Sequence, residues 1–207
     1  MCCRYILDRP ERELEEIVER AAKSPLTERF EARQAGSLVQ SGEVRPMSVA
    51  PAIATARGGG QAVFPMRWGF TLAGKPSPLI NARAETAAEK QTFRDAWNSH
   101  RCILPASRYF EWQHLPSADG KTAAAVKYAI RPCDSELAWL CGLYRIENGL
   151  PVFVVLTTEP SPDVAFLHDR MPLILPKGCV RAWIDPAVRA EELLPYALTR
   201  LSAEKVG

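Results

Sequence analysis

Leu137-Ala138-Trp139-Leu140-Cys141-Gly142-Leu143-Tyr144 and Val152-Phe153-Val154-Val155-Leu156-Thr157-Thr158 are two apolar runs rich in aromatic and β-branched residues. Runs of this length and composition read as strands. Working outward, residues 62–70, 102–104, 109–113 and 124–130 carry the same signature, with few long helical patterns between them. Strands following one another in this way favour an α+β fold over a doubly wound parallel sheet. The expectation is a single domain over residues 1–207, built on a mixed, mostly antiparallel β-sheet or open barrel flanked by helices.

The helical signals are local. Asp8 and Pro10 mark a helix start, and Leu14, Ile17, Val18 and Ala21 then recur at helical spacing. Thr86 and Glu89 match a capping box ahead of a helix over 87–97, whose apolar face is Ala88, Phe93, Ala96 and Trp97. Ser161-Pro162-Asp163 predicts a helix start leading to His168, and further short helices are expected over 180–183 and 190–198. Residues 42–62 are rich in Gly, Pro, Ala and Ser, with Gly58-Gly59-Gly60 as a turn.

Composition narrows the function classes. Hydrophobic residues are 47% and charged residues 24% of the 207, as in an ordinary globular chain. The net charge of +2 does not announce a nucleic-acid binder, so any phosphate-binding surface must come from clustered arginines. There is no run of 18 apolar residues for a membrane span, and Met1-Cys2-Cys3-Arg4-Tyr5 lacks the apolar stretch of a signal peptide. The six cysteines lack CxxC spacing, which argues against zinc and for a reducing compartment.

Four features carry chemistry. Cys2 becomes an N-terminal cysteine if Met1 is removed, as is common before a small residue. Its α-amine and thiol then share one carbon framework, and both are partly reactive near neutrality. With an aldehyde, the amine forms an imine and the thiolate closes a five-membered thiazolidine. Within Ile80-Asn81-Ala82-Arg83-Ala84-Glu85-Thr86, Asn81 offers an amide to an amine or sugar hydroxyl, and Arg83 a fork for phosphate. Glu111 sits in the aromatic strand Tyr109-Phe110-Glu111-Trp112, on the same face as Tyr109. A carboxylate in partly apolar surroundings suits both taking and giving protons. His168, in Leu167-His168-Asp169-Arg170-Met171-Pro172, is one of three histidines and is suited to proton transfer. Singly, each also has a structural reading: a packed thiol, a turn amide, an edge carboxylate, a loop histidine.

Together, Met1-Cys2, Asn81-Ala82-Arg83-Ala84-Glu85-Thr86, Phe110-Glu111-Trp112 and His168-Asp169-Arg170-Met171-Pro172 resemble the SOS-response-associated peptidase (SRAP) family of abasic-site processing proteins. Val49-Ala50-Pro51, Arg67-Trp68-Gly69-Phe70, Arg101-Cys102-Ile103-Leu104-Pro105-Ala106 and Leu156-Thr157-Thr158-Glu159 extend the match in order. The family pattern has Gly where this chain has Cys3. The resemblance implies a mixed α/β domain that binds single-stranded DNA in a basic channel and crosslinks abasic sites through its N-terminal cysteine. Carried over by position, Cys2 is the nucleophile and Asn81 holds the amine and sugar. Glu111 is the general acid/base, and His168 assists ring opening and reversal. Arg4, Arg83 and Thr157 fall near the sugar or phosphates, and Pro51 and Trp68 at apolar positions of the DNA channel.

The expected partner is therefore single-stranded DNA containing abasic sites, met by a cytoplasmic monomer that becomes nucleoid-associated on damaged DNA and uses no metal or cofactor. A weak lyase side activity is also expected. Two rival readings stay open: a cysteine-type (auto)peptidase using Cys2 and His168, and a non-catalytic single-strand binder.

Overall fold

In the computed structural model the structure describes residues 3–8, 12–115 and 124–206. The chain opens with β1 (Tyr5–Leu7), α1 (Arg12–Ala22), α2 (Pro25–Ala32), β2 (Gly42–Val44), β3 (Val49–Thr55) and β4 (Gln61–Trp68). Next come β5 (Asn81–Arg83), α3 (Ala84–Ala87), α4 (Gln91–Ser99), β6 (Arg101–Ala106) and β7 (Arg108–Leu115). The remainder is β8 (Ala124–Pro132), β9 (Ala138–Glu147), β10 (Leu150–Thr158), β11 (Met171–Pro172), β12 (Ile174–Leu175), α5 (Val180–Ile184) and β13 (Leu201–Lys205).

Five strands close on themselves. β10 pairs with β4 in parallel, and β4 with β3, β3 with β6, β6 with β9 and β9 with β10 all pair antiparallel. Closure removes the unpaired edges that an open sheet of such apolar strands would expose. The barrel is closely packed at Gly142 on β9, where a Cβ would stand 2.6 Å from Leu104 Cδ2 and 2.9 Å from the Val154 carbonyl. The mixed, mostly antiparallel α+β architecture is thus the one expected from the strand runs.

A second sheet, ordered β13-β8-β7-β1-β2, is antiparallel throughout. Chain continuity from β6 into β7 joins it to the barrel, and buried Ser107 is the joint. Its N–H donates to the Ile6 carbonyl (2.9 Å), while its Oγ accepts from Asp8 N–H (2.9 Å) and donates to the Asp8 carbonyl (3.1 Å).

The helix α1 buries Leu14, Ile17, Val18 and Ala21, the four residues that the spacing picked out. Arg101, itself buried, stitches α4 and α5 to the barrel: its guanidinium donates to the carbonyls of Trp183 (2.6 Å), Trp97 (2.7 Å) and Val188 (2.7 Å). A buried cation is tolerable when its donors are met in this way.

Several local expectations are corrected. Residues 42–62 hold β2, β3 and the start of β4; β3 is buried along nearly its whole length, so its small residues show no polar alternation. The capping box at Thr86 does not form: Thr86 lies inside α3, and α4 starts at Gln91 with no side-chain cap from Lys90. The segment from Pro162 to Leu167 is a series of turns rather than a helix. Residues 190–198 form two single 3₁₀ turns, Ala190–Glu192 and Leu194–Tyr196, because Pro195 has no N–H to continue a helical ladder.

Candidate active site

β10 is the spine of the site. Its first half pairs with β4 (Val152↔Arg67, Phe153↔Trp68), and its second half pairs with β5 in parallel (Val155↔Asn81, Leu156↔Ala82, Thr157↔Arg83). The exchange of partners happens at Gly69. Its N–H donates to the Phe153 carbonyl at 2.7 Å, its φ is +122°, and a Cβ would lie 2.8 Å from Pro78 Cβ. Only glycine takes that turn without strain. The result sets Asn81 in a buried position and leaves Arg83 exposed two residues on. Thr157, buried, donates from Oγ1 to the Ala82 carbonyl at 3.3 Å.

β11 pairs with the end of β10 (Thr157↔Pro172, Thr158↔Met171) and so brings the preceding loop alongside. Arg170 fixes that loop: Nη2 donates to Glu85 Oε2 (2.7 Å) and to the Thr157 carbonyl (2.7 Å), while Thr158 Oγ1 reaches Glu85 Oε1 at 3.4 Å. Burial pushes the Glu85 carboxyl upward, but the hydrogen bond and charge of Arg170, a backbone hydrogen bond and Thr158 together outweigh it, and the pKa falls below the usual value. The Arg170 backbone N–H donates to His168 Nδ1 at 3.0 Å, and Asp169 Oδ1 lies 2.5 Å from the same nitrogen. These two neighbours make opposite demands. A neutral ring with a bare Nδ1 accepts from Arg170, whereas a protonated ring donates to Asp169.

The third part comes from the second sheet. Tyr5 pairs with Tyr109, and the Phe110 N–H to Arg4 carbonyl bond (2.9 Å) extends the ladder one step toward the N-terminus. Continuing the register sets Cys3 opposite Glu111. Burial raises the Cys3 thiol pKa, and the negative charge of Glu111 raises it further. Glu111 is only 6% exposed, and its Oε1 accepts from the Trp112 N–H at 3.3 Å. Phe110 and Trp112 share the opposite face, as alternation requires. Lys127 Nζ stands 3.8 Å from the Phe110 ring centroid and 5.7 Å from that of Trp112, and Arg4 Cζ 5.1 Å from Trp112.

Glu43 on β2 gathers the cations of that face. It accepts from Lys127 Nζ (2.8 Å) and Arg45 Nη2 (2.8 Å), with Arg4 Nη1 at 3.4 Å. The hydrogen bonds from Lys127 and then Arg45 hold its carboxyl down at about 2. Three cations around one carboxylate leave local positive charge beside the Phe110 and Trp112 rings.

Two residues expected at the DNA channel are buried. Trp68 is 0% exposed: its ring packs against Tyr5 (5.5 Å between centroids) and Phe153 (5.8 Å), and its Nε1 donates to the Ile80 carbonyl at 2.8 Å. It offers no face for a base to stack on; it is the pillar between β1, β10 and the approach to Asn81. Pro51, mid-strand on β3, is buried as well. Cys2 lies outside the described residues. The structure thus groups Asn81, Arg83, Thr157 and His168 around β10, and Arg4 with Glu111 on the β1–β7 pair. Sequence reasoning gave no role to Glu43, Arg45, Lys127, Glu85 or Arg170. Of these, only Glu85 and Arg170 lay in quoted motifs. Among the described residues no group of three or more His, Cys, Asp or Glu could hold a metal ion, and no helix is long and apolar enough to cross a membrane.

Comparison with known proteins gives relatives and fold neighbours. The abasic site processing protein YoaM of Bacillus subtilis is 36% identical over 139 residues, covering 62% of this chain and 59% of that protein. YedK of Escherichia coli, of the same description, is 31% identical over 134 residues, 62% of this chain and 57% of that protein. The chain therefore spans less than two thirds of the length of these relatives. Among solved structures, a phage-related protein of Bordetella bronchiseptica superposes with a TM-score of 0.71 at 24% identity, covering 99% of this chain and 94% of that one. A protein of Bacteroides thetaiotaomicron gives 0.72 at 21%, covering 100% and 92%. These two share the fold. The family model described as SOS response associated peptidase (SRAP) matches residues 1–206, and the chain belongs to that family.

Proposed function

We propose that this protein recognises abasic sites in single-stranded DNA and captures them covalently through Cys2, shielding the lesion. The observation that carries the reading is the β1–β7 register, which runs the N-terminal strand along buried Glu111. The relatives named as abasic site processing proteins supply the substrate class.

In this reaction the Cys2 α-amine adds to the ring-opened sugar aldehyde, giving a carbinolamine. Glu111 delivers a proton to the departing hydroxyl, which leaves as water, and an imine remains. The Cys2 thiolate then adds to the imine carbon while the nitrogen takes up a proton, closing the thiazolidine. One aldehyde and one aminothiol become one ring and one water, with no change of oxidation state. His168 serves ring opening of the closed sugar by proton transfer at the ring oxygen, and in reverse for release. Asn81 orients the amine and sugar, while Arg4, Arg83 and Thr157 lie toward the sugar and phosphates. An imine that does not close can undergo β-elimination, which gives weak lyase activity. One chain supplies every group, so a monomer suffices.

A denaturing gel with abasic single-stranded DNA tests the reading. Wild type gives a shifted covalent band; Cys2→Ala and protein retaining Met1 give none, and an undamaged strand gives none. A band that survives Cys2→Ala, or no band with wild type, overturns the proposal.

A further inference from the structure

The barrel has two ends, and the groups above occupy one. The other end holds a cavity of about 590 Å³. Four of the five barrel strands line it: Thr55 from β3, Phe64 from β4, Tyr144 from β9 and Pro151 from β10, and His100 stands one residue ahead of the fifth, β6. From Pro151 to Thr157 along β10 is roughly 20 Å at the usual rise of a strand. The two ends are therefore separate sites. Ligand pockets favour barrel mouths, and this volume falls in the range of about 300–1,000 Å³ typical of small-molecule sites.

The lining has a definite chemistry. Phe64 and buried Met66 make the apolar wall, and Ile146 stands at the rim 59% exposed, apolar surface that a bound molecule would cover. Arg29 and Arg57 supply the cationic character, and no Asp or Glu is among the described residues that line the cavity. Arg29 is already seated, its Nη2 donating to the Gly149 carbonyl at 3.2 Å. Arg57 makes no hydrogen bond or ion pair with any described residue, so its guanidinium is available to an incoming anion. The His100 ring packs edge-on against Tyr144 (5.1 Å, 88°), which fixes the side of the opening.

We propose that this mouth binds a small amphipathic anion: an aromatic body against Phe64, Met66 and Ile146, and one acidic group on Arg57 and Arg29. The site is independent of the chemistry assigned to Cys2.

The probe is 8-anilinonaphthalene-1-sulfonate, titrated by fluorescence and calorimetry into the folded protein. N-phenyl-1-naphthylamine is its uncharged counterpart. One saturable site is expected, with Arg57→Ala and Ile146→Asp each weakening binding by roughly fivefold or more, about 1 kcal/mol. The uncharged compound binds more weakly by a similar factor. Both substituted residues are exposed, and thermal melting confirms that the variants stay folded. Cys2→Ala binds the probe as wild type does, whether or not that variant crosslinks DNA. Absence of a saturable site, unchanged affinity in both rim variants, or equal affinity for the uncharged compound overturns the proposal.

Discussion

Arg170 Nη2 donates to Glu85 Oε2 at 2.7 Å, joining segments 85 residues apart in sequence. Glu85 lies in the first turn of the helix directly after the strand that carries Asn81, and the Arg170 backbone N–H holds His168 Nδ1. One ion pair therefore fixes the distance between two proposed catalytic groups. Glu85→Ala and Arg170→Met are each expected to slow crosslink formation by about tenfold. The double variant should be no slower than the worse single one, because both remove the same link. The Glu85 side chain is 44% exposed, so the stability cost stays below about 1 kcal/mol. Initial rates on abasic single-stranded DNA, beside denaturant midpoints, check this; additive rate losses would contradict it.

The Glu43 cluster makes a prediction about acid. Its carboxyl is held at about 2, against an ordinary 4.5, chiefly by the Lys127 hydrogen bond and then by Arg45. A folded-state pKa below the unfolded value adds stability that is complete above the unfolded pKa and is lost as pH falls through the folded one. The contribution should be full at pH 6 and fade between about pH 4.5 and 2. Because solvent screens the group, about 1 kcal/mol is expected. Urea unfolding of wild type and Glu43→Gln from pH 6 to pH 2 tests this: the two curves should converge on acidification. A difference that is constant with pH would rule out the carboxylate as its source.

What the sequence discloses and what it withholds divide along physical lines. The helix α1 was legible because one face of it is wet, so Leu14, Ile17, Val18 and Ala21 stand out against polar neighbours. β10 was legible through its β-branched run. β3 was not, because a strand with both faces covered carries no alternation, and its small residues imitate a loop. At the site, Asn81, Glu111 and His168 could be picked out by residue type and company. The grouping of Glu43 with Arg4, Arg45 and Lys127 could not, because it depends on β2, β1 and β8 meeting in one sheet. Trp68 misled for a related reason. An aromatic residue beside a proposed channel looks the same in sequence whether its ring faces solvent or packs between Tyr5 and Phe153.

The two N-terminal cysteines should differ sharply. Burial raises the Cys3 thiol pKa and the Glu111 charge raises it further, so Cys3 remains a protonated thiol near neutrality. It also has no free α-amine, and so cannot close a thiazolidine. Cys3→Ala and Cys3→Gly should crosslink within about threefold of the wild-type rate, the scale of a modest change in packing. Gel assays of the two variants decide the matter. Loss of the band in Cys3→Ala with Cys2 intact would shift the nucleophile or its support onto Cys3.

Trp68 and Arg83 should separate stability from DNA affinity. Trp68 is sealed between two aromatic rings and donates its indole N–H to the Ile80 carbonyl, so Trp68→Leu opens a cavity and removes one of that carbonyl's two donors, the other being the Val155 N–H. The expected cost is about 3 kcal/mol in urea unfolding. Affinity for an intact single strand, measured per folded molecule, should hardly change. Arg83 is exposed at the end of β5 and is assigned to a phosphate, so Arg83→Ala should leave unfolding within about 0.5 kcal/mol of wild type. The same change should weaken strand binding and reduce the slope of log affinity against log salt by about 0.7, the counterion release of one phosphate contact on a single strand. Fluorescence anisotropy at several salt concentrations measures both quantities. If Trp68→Leu alters the salt slope, or Arg83→Ala leaves it untouched, the two roles assigned here are reversed.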